Sequence, residues 1–195
     1  GLVFASGKLE GQLDEDGLTD IATSIELMHS YSLIHDDLPA MDDDGMRRGQ
    51  PSNHVKFNEA TAILAGDALQ ALAFETITSS KNITDAHKVE AVRMLAAACG
   101  HQGMVLGQQY DLDAEKNELL DIELIHSLKT AKLIQVALTM PYLGNEMHKK
   151  TQVLLDSLGG KIGLAFQIMD DVLEVSSDTV TLGKSNLSDI TNKKM

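Results

Sequence analysis

Tryptophan is missing from this chain, aromatic residues make up only 4% of it, and its 195 residues include three prolines and a single cysteine. One thiol allows no internal disulfide, so packing must hold the fold together and a reducing compartment suits it. Cys99 sits in the apolar run "MLAAACG", where filling the core is its natural use. No stretch approaches ~18 uninterrupted apolar residues, so no membrane span is expected. The N-terminus also lacks the basic flank and cleavage pattern of a secretory signal. Basic residues are in deficit as well: 16 Lys and Arg face 29 Asp and Glu, a formal charge of −13. Such a field repels nucleic acid and anionic membranes, and it favours metal cations. With 43% hydrophobic residues supplied mainly by Ala, Leu, Ile and Met, the expectation is a soluble, cytoplasmic, single globular domain over residues 1–195. The opening "GLVFASG" reads as the end of a helix and a loop, and the domain is expected to be incomplete at both termini.

Alternating strand patterns are likewise lacking, whereas helical periodicity runs nearly throughout, so the fold should be all-α. The spacing predicts a helix from about Asp20, with Thr19 as its cap, to a stop at Pro39. A second should cover 59–79, apolar almost all round and therefore central. A third should run from about 85 to 110 with a break near Gly100 and Gly103, a fourth from 118 to 142, and a fifth from 151 to 175.

Acidic residues are concentrated in two places. The stretch "HDDLPAMDDDGMRRG" puts five aspartates within nine positions at a helix C-terminus, followed by two arginines. Carboxylates there face the negative end of the helix dipole and repel one another, a placement that costs stability unless something positive binds. A calcium loop of the EF-hand type does not fit, because aligning Gly45 with its turn puts Ala40 and Pro51 at ligand positions. The second cluster, "FQIMDDVLE", places Gln167, Asp170, Asp171 and Glu174 on one helical face about 100° wide. Its helix is otherwise apolar and should be mostly buried, and metal coordination is a common remedy for buried carboxylates. Oxygen ligands without cysteine favour Mg²⁺, which keeps waters and phosphate oxygens in its shell. Arg47, Arg48, Lys129 and Lys184 could hold such phosphates, although each alone would be read as a surface charge. His29 lies two helical turns before Asp36 and shares its face.

Taken in order, "YSLIHDDLPAMDDDGMRRGQPSNHVKFNEATAILAGDALQALAFE", "HSLKTAKLI" and "GLAFQIMDDVLEVSSDTVTLGK" resemble the trans-isoprenyl diphosphate synthases, above all the bacterial farnesyl diphosphate synthases. That resemblance covers essentially the whole chain. It implies an isoprenoid-synthase-type bundle of long helices around a central cavity, assembled as a homodimer. It implies three Mg²⁺ ions, with Asp36 and Asp42 as principal ligands from the first motif, Asp170 from the second, and Asp37, Asp171 and Glu174 in support. Arg47, Lys129 and Lys184 would hold the allylic diphosphate, Arg48 and His29 the diphosphate of isopentenyl diphosphate, and Thr130 and Gln167 would flank the carbocation. Tyr31, five positions before Asp36, would floor the cavity as in farnesyl-forming members, although a plain core aromatic and a geranylgeranyl product are alternatives. Glu174 departs from the family's usual aspartate, and no "GGKRLRP"-like segment occurs. Beside a synthase stand a terpene cyclase, which would not need two diphosphate sites, a regulatory helical subunit, which could dispense with an aspartate-rich motif, and an inactive fragment.

Overall fold

The computed structural model describes residues 1–10, 13–114, 121–143 and 149–176; the side chains of Glu10, Lys149, Asp171 and residues 174–176 fall outside the description. Helices α1 (Leu2–Glu10), α2 (Glu15–Asp36), α3 (Asn53–Lys56), α4 (Glu59–Ser79), α5 (Asp85–Cys99), α6 (Met104–Ala114), α7 (Ile122–His126), α8 (Lys132–Thr139) and α9 (Lys149–Ser176) form the described bundle. A single π turn, Ser127–Ala131, joins α7 to α8, and a 3₁₀ turn, Met140–Tyr142, follows α8. The opening residues are helical rather than the tail of a helix and a loop.

Helix α2 starts at Glu15, well before the Asp20 that the sequence suggests. Asp14 is its cap, its carboxylate accepting from the Gly17 amide at 2.8 Å, while Thr19 turns its hydroxyl to the Glu15 carbonyl inside the helix. Asn58 and Thr84 cap α4 and α5 in the same way. The chain breaks at Gly100, as its breakers suggest, and α6 then continues to Ala114. Between α2 and α3 lies a hairpin not anticipated from the sequence: β1 (Met46–Arg47) pairs antiparallel with β2 (Gln50–Pro51), Arg47 opposite Gln50. Its two-residue turn has positive φ at Arg48 (51°) and Gly49 (76°), as a type I′ turn requires. Two-residue strands are too short to show alternation.

The core gathers Leu18, Ile21, Ile25 and Met28 of α2, Ala73 and Ile77 of α4, Ala91, Leu95, Ala98 and Cys99 of α5, and Leu133, Val136 and Ala137 of α8. Cys99 is buried in it, and burial pushes its thiol pKa up to about 12. Small residues let α2 and α4 meet closely: the Ser24 hydroxyl donates to the Ala73 carbonyl at 2.8 Å, and Gly66 leaves room for the His35 ring. A Cβ at position 66 would lie inside that imidazole. We expect Gly66→Ala to lower stability by about 1–2 kcal/mol in urea titration, the overpacking outweighing the gain in helix propensity; a stabilised variant would mean that His35 moves freely.

Two burial expectations are corrected. Helix α4 is not central: Ala62, Gly66, Ala73 and Ile77 are buried, but Ile63, Leu64 and Leu72 are exposed. By length and composition alone, with a mean hydropathy of 1.2 and 22% of its window buried, it meets the bare requirement for a membrane span, but its buried face packs against α2. Helix α9 is not mostly buried either, since Phe166, Ile168, Met169, Val172 and Leu173 are open. Its contacts with α8 and the π turn use one narrow face, where Gly159 and Gly163 let the helix approach Gln135 and Ala131. An apolar composition says that a face can be buried; it does not say what covers it.

Candidate active site

At the C-terminal end of α2 the backbone folds back on itself. The Asp42 amide donates to the Asp36 carbonyl at 2.9 Å, and the amides of Met41 and Asp43 both reach Leu38. Asp43 takes φ +52°, a left-handed conformation that aspartate tolerates better than most residues. The residues "LPAM" thus make a compact turn that brings the Asp36 and Asp42 carboxylates toward one point. That point is held by Lys129, whose Nζ lies 3.5 Å from Asp42 Oδ2, 3.9 Å from Asp36 Oδ2 and 2.7 Å from Asp111 Oδ2. Burial pushes the Asp36 pKa up to about 6, with Lys129 pulling the other way and Asp42 adding to the rise. Burial alone would lower the Lys129 pKa, but Asp36, Asp42 and Asp111 raise it, so the ammonium stays charged.

Lys129 and Thr130 sit on the π turn. Such turns inside helices are frequent at functional sites. Here the turn is clamped on both sides, since Gly107 of α6 lets that helix rest on the Lys129 backbone and Gly163 of α9 rests on Ala131. The consecutive side chains then serve different elements: Lys129 reaches the first aspartate-rich motif, and the Thr130 hydroxyl donates to Gln167 Oε1 of α9 at 2.9 Å. Asp170, partly buried, follows one turn after Gln167. The side chains of Asp171 and Glu174, and all of Lys184, lie outside the described residues.

The arginines diverge. Arg47 on β1 turns inward, its Nε donating to Asp37 Oδ1 at 3.0 Å, its Nη2 reaching the same oxygen and lying 3.4 Å from Asp44 Oδ2. Asp37 is thereby tied to the hairpin. Arg48 is exposed on the left-handed corner of the turn. Both arginines are close enough to His29 to be felt by it: burial lowers the imidazole pKa, Glu26 opposes this, and the two guanidinium charges lower it further. Beside them opens a cleft of about 320 Å³ lined by Ser30, Leu33, Asp37, Arg47, Arg48 and Lys56, among others. Tyr31 stands edge-on to His35, ring centroids 4.9 Å apart. Burial raises its phenol pKa, and Cys99, Asp36 and Asp67 raise it further.

Three features escaped the sequence reading. Asp111 on α6 looked like an ordinary helix acid. Gln108, one turn before it, has both amide atoms buried without a hydrogen-bond partner among the described residues. Asp44 is 5% exposed and shares Arg47 with Asp37. Among the described residues, no three acidic, His or Cys side chains form a metal-ligand set; an ammonium stands among the carboxylates instead. All-oxygen donors turned toward a cation nevertheless suit a hard divalent ion.

Comparison with known proteins bears directly on this arrangement. Residues 2–195 match the polyprenyl synthetase family. Farnesyl diphosphate synthase of Escherichia coli is 47% identical over 193 residues, covering 96% of this chain and 64% of the relative; that of Haemophilus influenzae is 45% identical, covering 97% and 65%. The chain thus spans a little under two thirds of the length of these curated relatives. Among solved structures, geranyltransferase from Helicobacter pylori, complexed with magnesium and isoprenyl diphosphate, superposes with a TM-score of 0.84 at 36% identity, covering 94% of this chain and 63% of that one. Geranyltransferase from Legionella pneumophila gives 0.83 at 43%, covering 89% and 63%. A fold built almost wholly of helices, an aspartate-rich turn after α2 and a match over residues 2–195 make this chain a member of the polyprenyl synthetase family.

Proposed function

We propose that this chain carries the condensation site of a prenyltransferase that joins an allylic diphosphate, dimethylallyl or geranyl, to isopentenyl diphosphate and yields farnesyl diphosphate. The observation that carries this reading is the pair Lys129 and Thr130, adjacent on the π turn, one drawn toward Asp36 and Asp42 and the other bonded to Gln167 beside Asp170. The names of the relatives and the magnesium and isoprenyl diphosphate of the Helicobacter pylori structure support it.

Asp36, Asp42 and Asp170 would hold Mg²⁺, three ions in all, with Asp37, Asp171 and Glu174 in support. Bound there, the metal would supply charge that stabilises a departing diphosphate. Lys129, Lys184 and Arg47 would add charge-assisted hydrogen bonds to the same group, favouring the ionised state over the ester. As the allylic C–O bond breaks, its electron pair goes to the diphosphate oxygen. The Thr130 hydroxyl and Gln167 carbonyl oxygen would flank the carbocation without trapping it as an ester. Arg48 and His29 would hold isopentenyl diphosphate so that its double bond attacks the cation, and the proton then lost passes to the released diphosphate. Tyr31, braced by His35, would limit chain growth. Apolar walls keep water, which would quench the cation, from the path.

A homodimer in the cytoplasm belongs to the same proposal. The exposed Ile63, Leu64 and Leu72 on α4 and the single buried thiol support it, and light scattering after gel filtration tests the dimer. The decisive assay incubates the purified chain with Mg²⁺, isopentenyl diphosphate and either allylic substrate, then measures product length. Farnesyl diphosphate is the expected product. A C20 product would move the floor away from Tyr31, allylic alcohol without incorporation would reduce the site to an ionising one, and no turnover would remove the reading for this chain.

A further inference from the structure

The sequence points to Lys129 as a phosphate ligand, but its surroundings give it an additional task. Among the described residues its ammonium lies closest to Asp111, at 2.7 Å, with Asp42 and Asp36 farther off at 3.5 and 3.9 Å. Asp111 belongs to neither aspartate-rich motif. Its helix is fixed in register with the π turn by Gly107, one turn earlier, where a side chain would strike the backbone of Leu128 and Lys129. The two backbone segments that carry the pair are therefore held close together. A buried ammonium released from Asp111 would settle on the two nearest carboxylates, which are the ones required for metal, and an ion pair in such a place is a strong competitor.

Resting on the proposal that Asp36 and Asp42 bind a divalent ion, we infer that Asp111 is a positioning residue: it holds Lys129 back from those carboxylates, so that the lysine stands in for a cation at rest and yields its place when metal arrives. Asp111 acts here through Lys129 and not as a ligand.

The two roles separate in a double-mutant cycle read by Mn²⁺ binding, measured by electron paramagnetic resonance on the purified chain without substrate. Asp111→Asn should weaken Mn²⁺ by about tenfold, because Lys129 falls onto Asp36 and Asp42, and Asp111→Glu should restore binding to within about threefold. Lys129→Gln should tighten it by about tenfold. In the Lys129→Gln background, removing the Asp111 carboxylate should cost no more than about threefold, the residue of through-space attraction. An equal or larger loss in that background makes Asp111 a ligand and overturns the inference. If Asp111→Asn melts early, the lysine variant still decides: affinity unchanged or lowered by Lys129→Gln also overturns it. Wild-type chain that binds no Mn²⁺ removes the metal reading itself, and the inference with it, whereas binding without the Lys129 dependence removes the inference alone.

Discussion

Replacing Arg47 by methionine is expected to destabilise the chain by about 3 kcal/mol, a loss typical of stranding a buried charge. Asp37 is 3% exposed and Asp44 5% exposed, and the guanidinium that serves both is the basic group facing them across the hairpin. Methionine keeps much of the apolar stem of arginine, so the loss reads the charge and not the packing. Burial opposes the Arg47 charge, yet the hydrogen bond to Asp37 and the charges of Asp37, Asp44 and Asp36 more than compensate. The midpoint of urea unfolding measures the effect. A second substitution identifies its cause: Asp37→Asn in the Arg47→Met background should recover more than half of the loss, because the carboxylate held most closely by Arg47 has gone. An Arg47→Met chain as stable as wild type would mean that Asp37 finds water when its partner leaves.

The same ion pair shows where sequence reasoning reached its limit. Arg47 could be assigned to phosphate from its place after the aspartates, but its inward turn depends on a two-residue hairpin with no pattern to betray it. That something positive should sit at this acidic helix end was legible, because carboxylates there face the negative end of the helix dipole and repel one another; the pairing of Asp36 with Asp42 came only from the family resemblance. The break between α5 and α6 was legible because glycine marks it locally. The start of α2 was not, since Thr19 and Asp14 are both acceptable caps and only the hydrogen bonds distinguish them. The π turn leaves no compositional trace in "SLKTA", and Asp111 gains its meaning only from the helix crossing at Gly107. Burial of α4 and α9 was overestimated because the pattern records which residues can be covered, while the cover itself is supplied by distant parts of the fold.

Asp36→Asn is expected to make the chain more stable and less able at once. The direction follows from the raised pKa: the folded chain binds the Asp36 proton more tightly than the unfolded chain does, with values of about 6 against 3.8. Well below pH 4 the carboxyl is protonated in both states and costs nothing. As pH rises from about 4 to 6 the unfolded chain releases its proton first, so wild-type stability falls, and above 6 the cost is complete at about 2–3 kcal/mol. Asparagine never ionises and escapes it. In EDTA at pH 7.5 the variant should therefore melt higher than wild type, and the two should converge well below pH 4. Adding Mn²⁺ should reverse the order, since a ligand that binds only the folded wild type stabilises it by mass action. Turnover by the variant should fall on the order of 10²–10³-fold, the scale of losing one preorganised electrostatic group. If the variant is no more stable at neutral pH, then Lys129 already neutralises Asp36 fully at 3.9 Å, and the site holds no strain for metal to relieve.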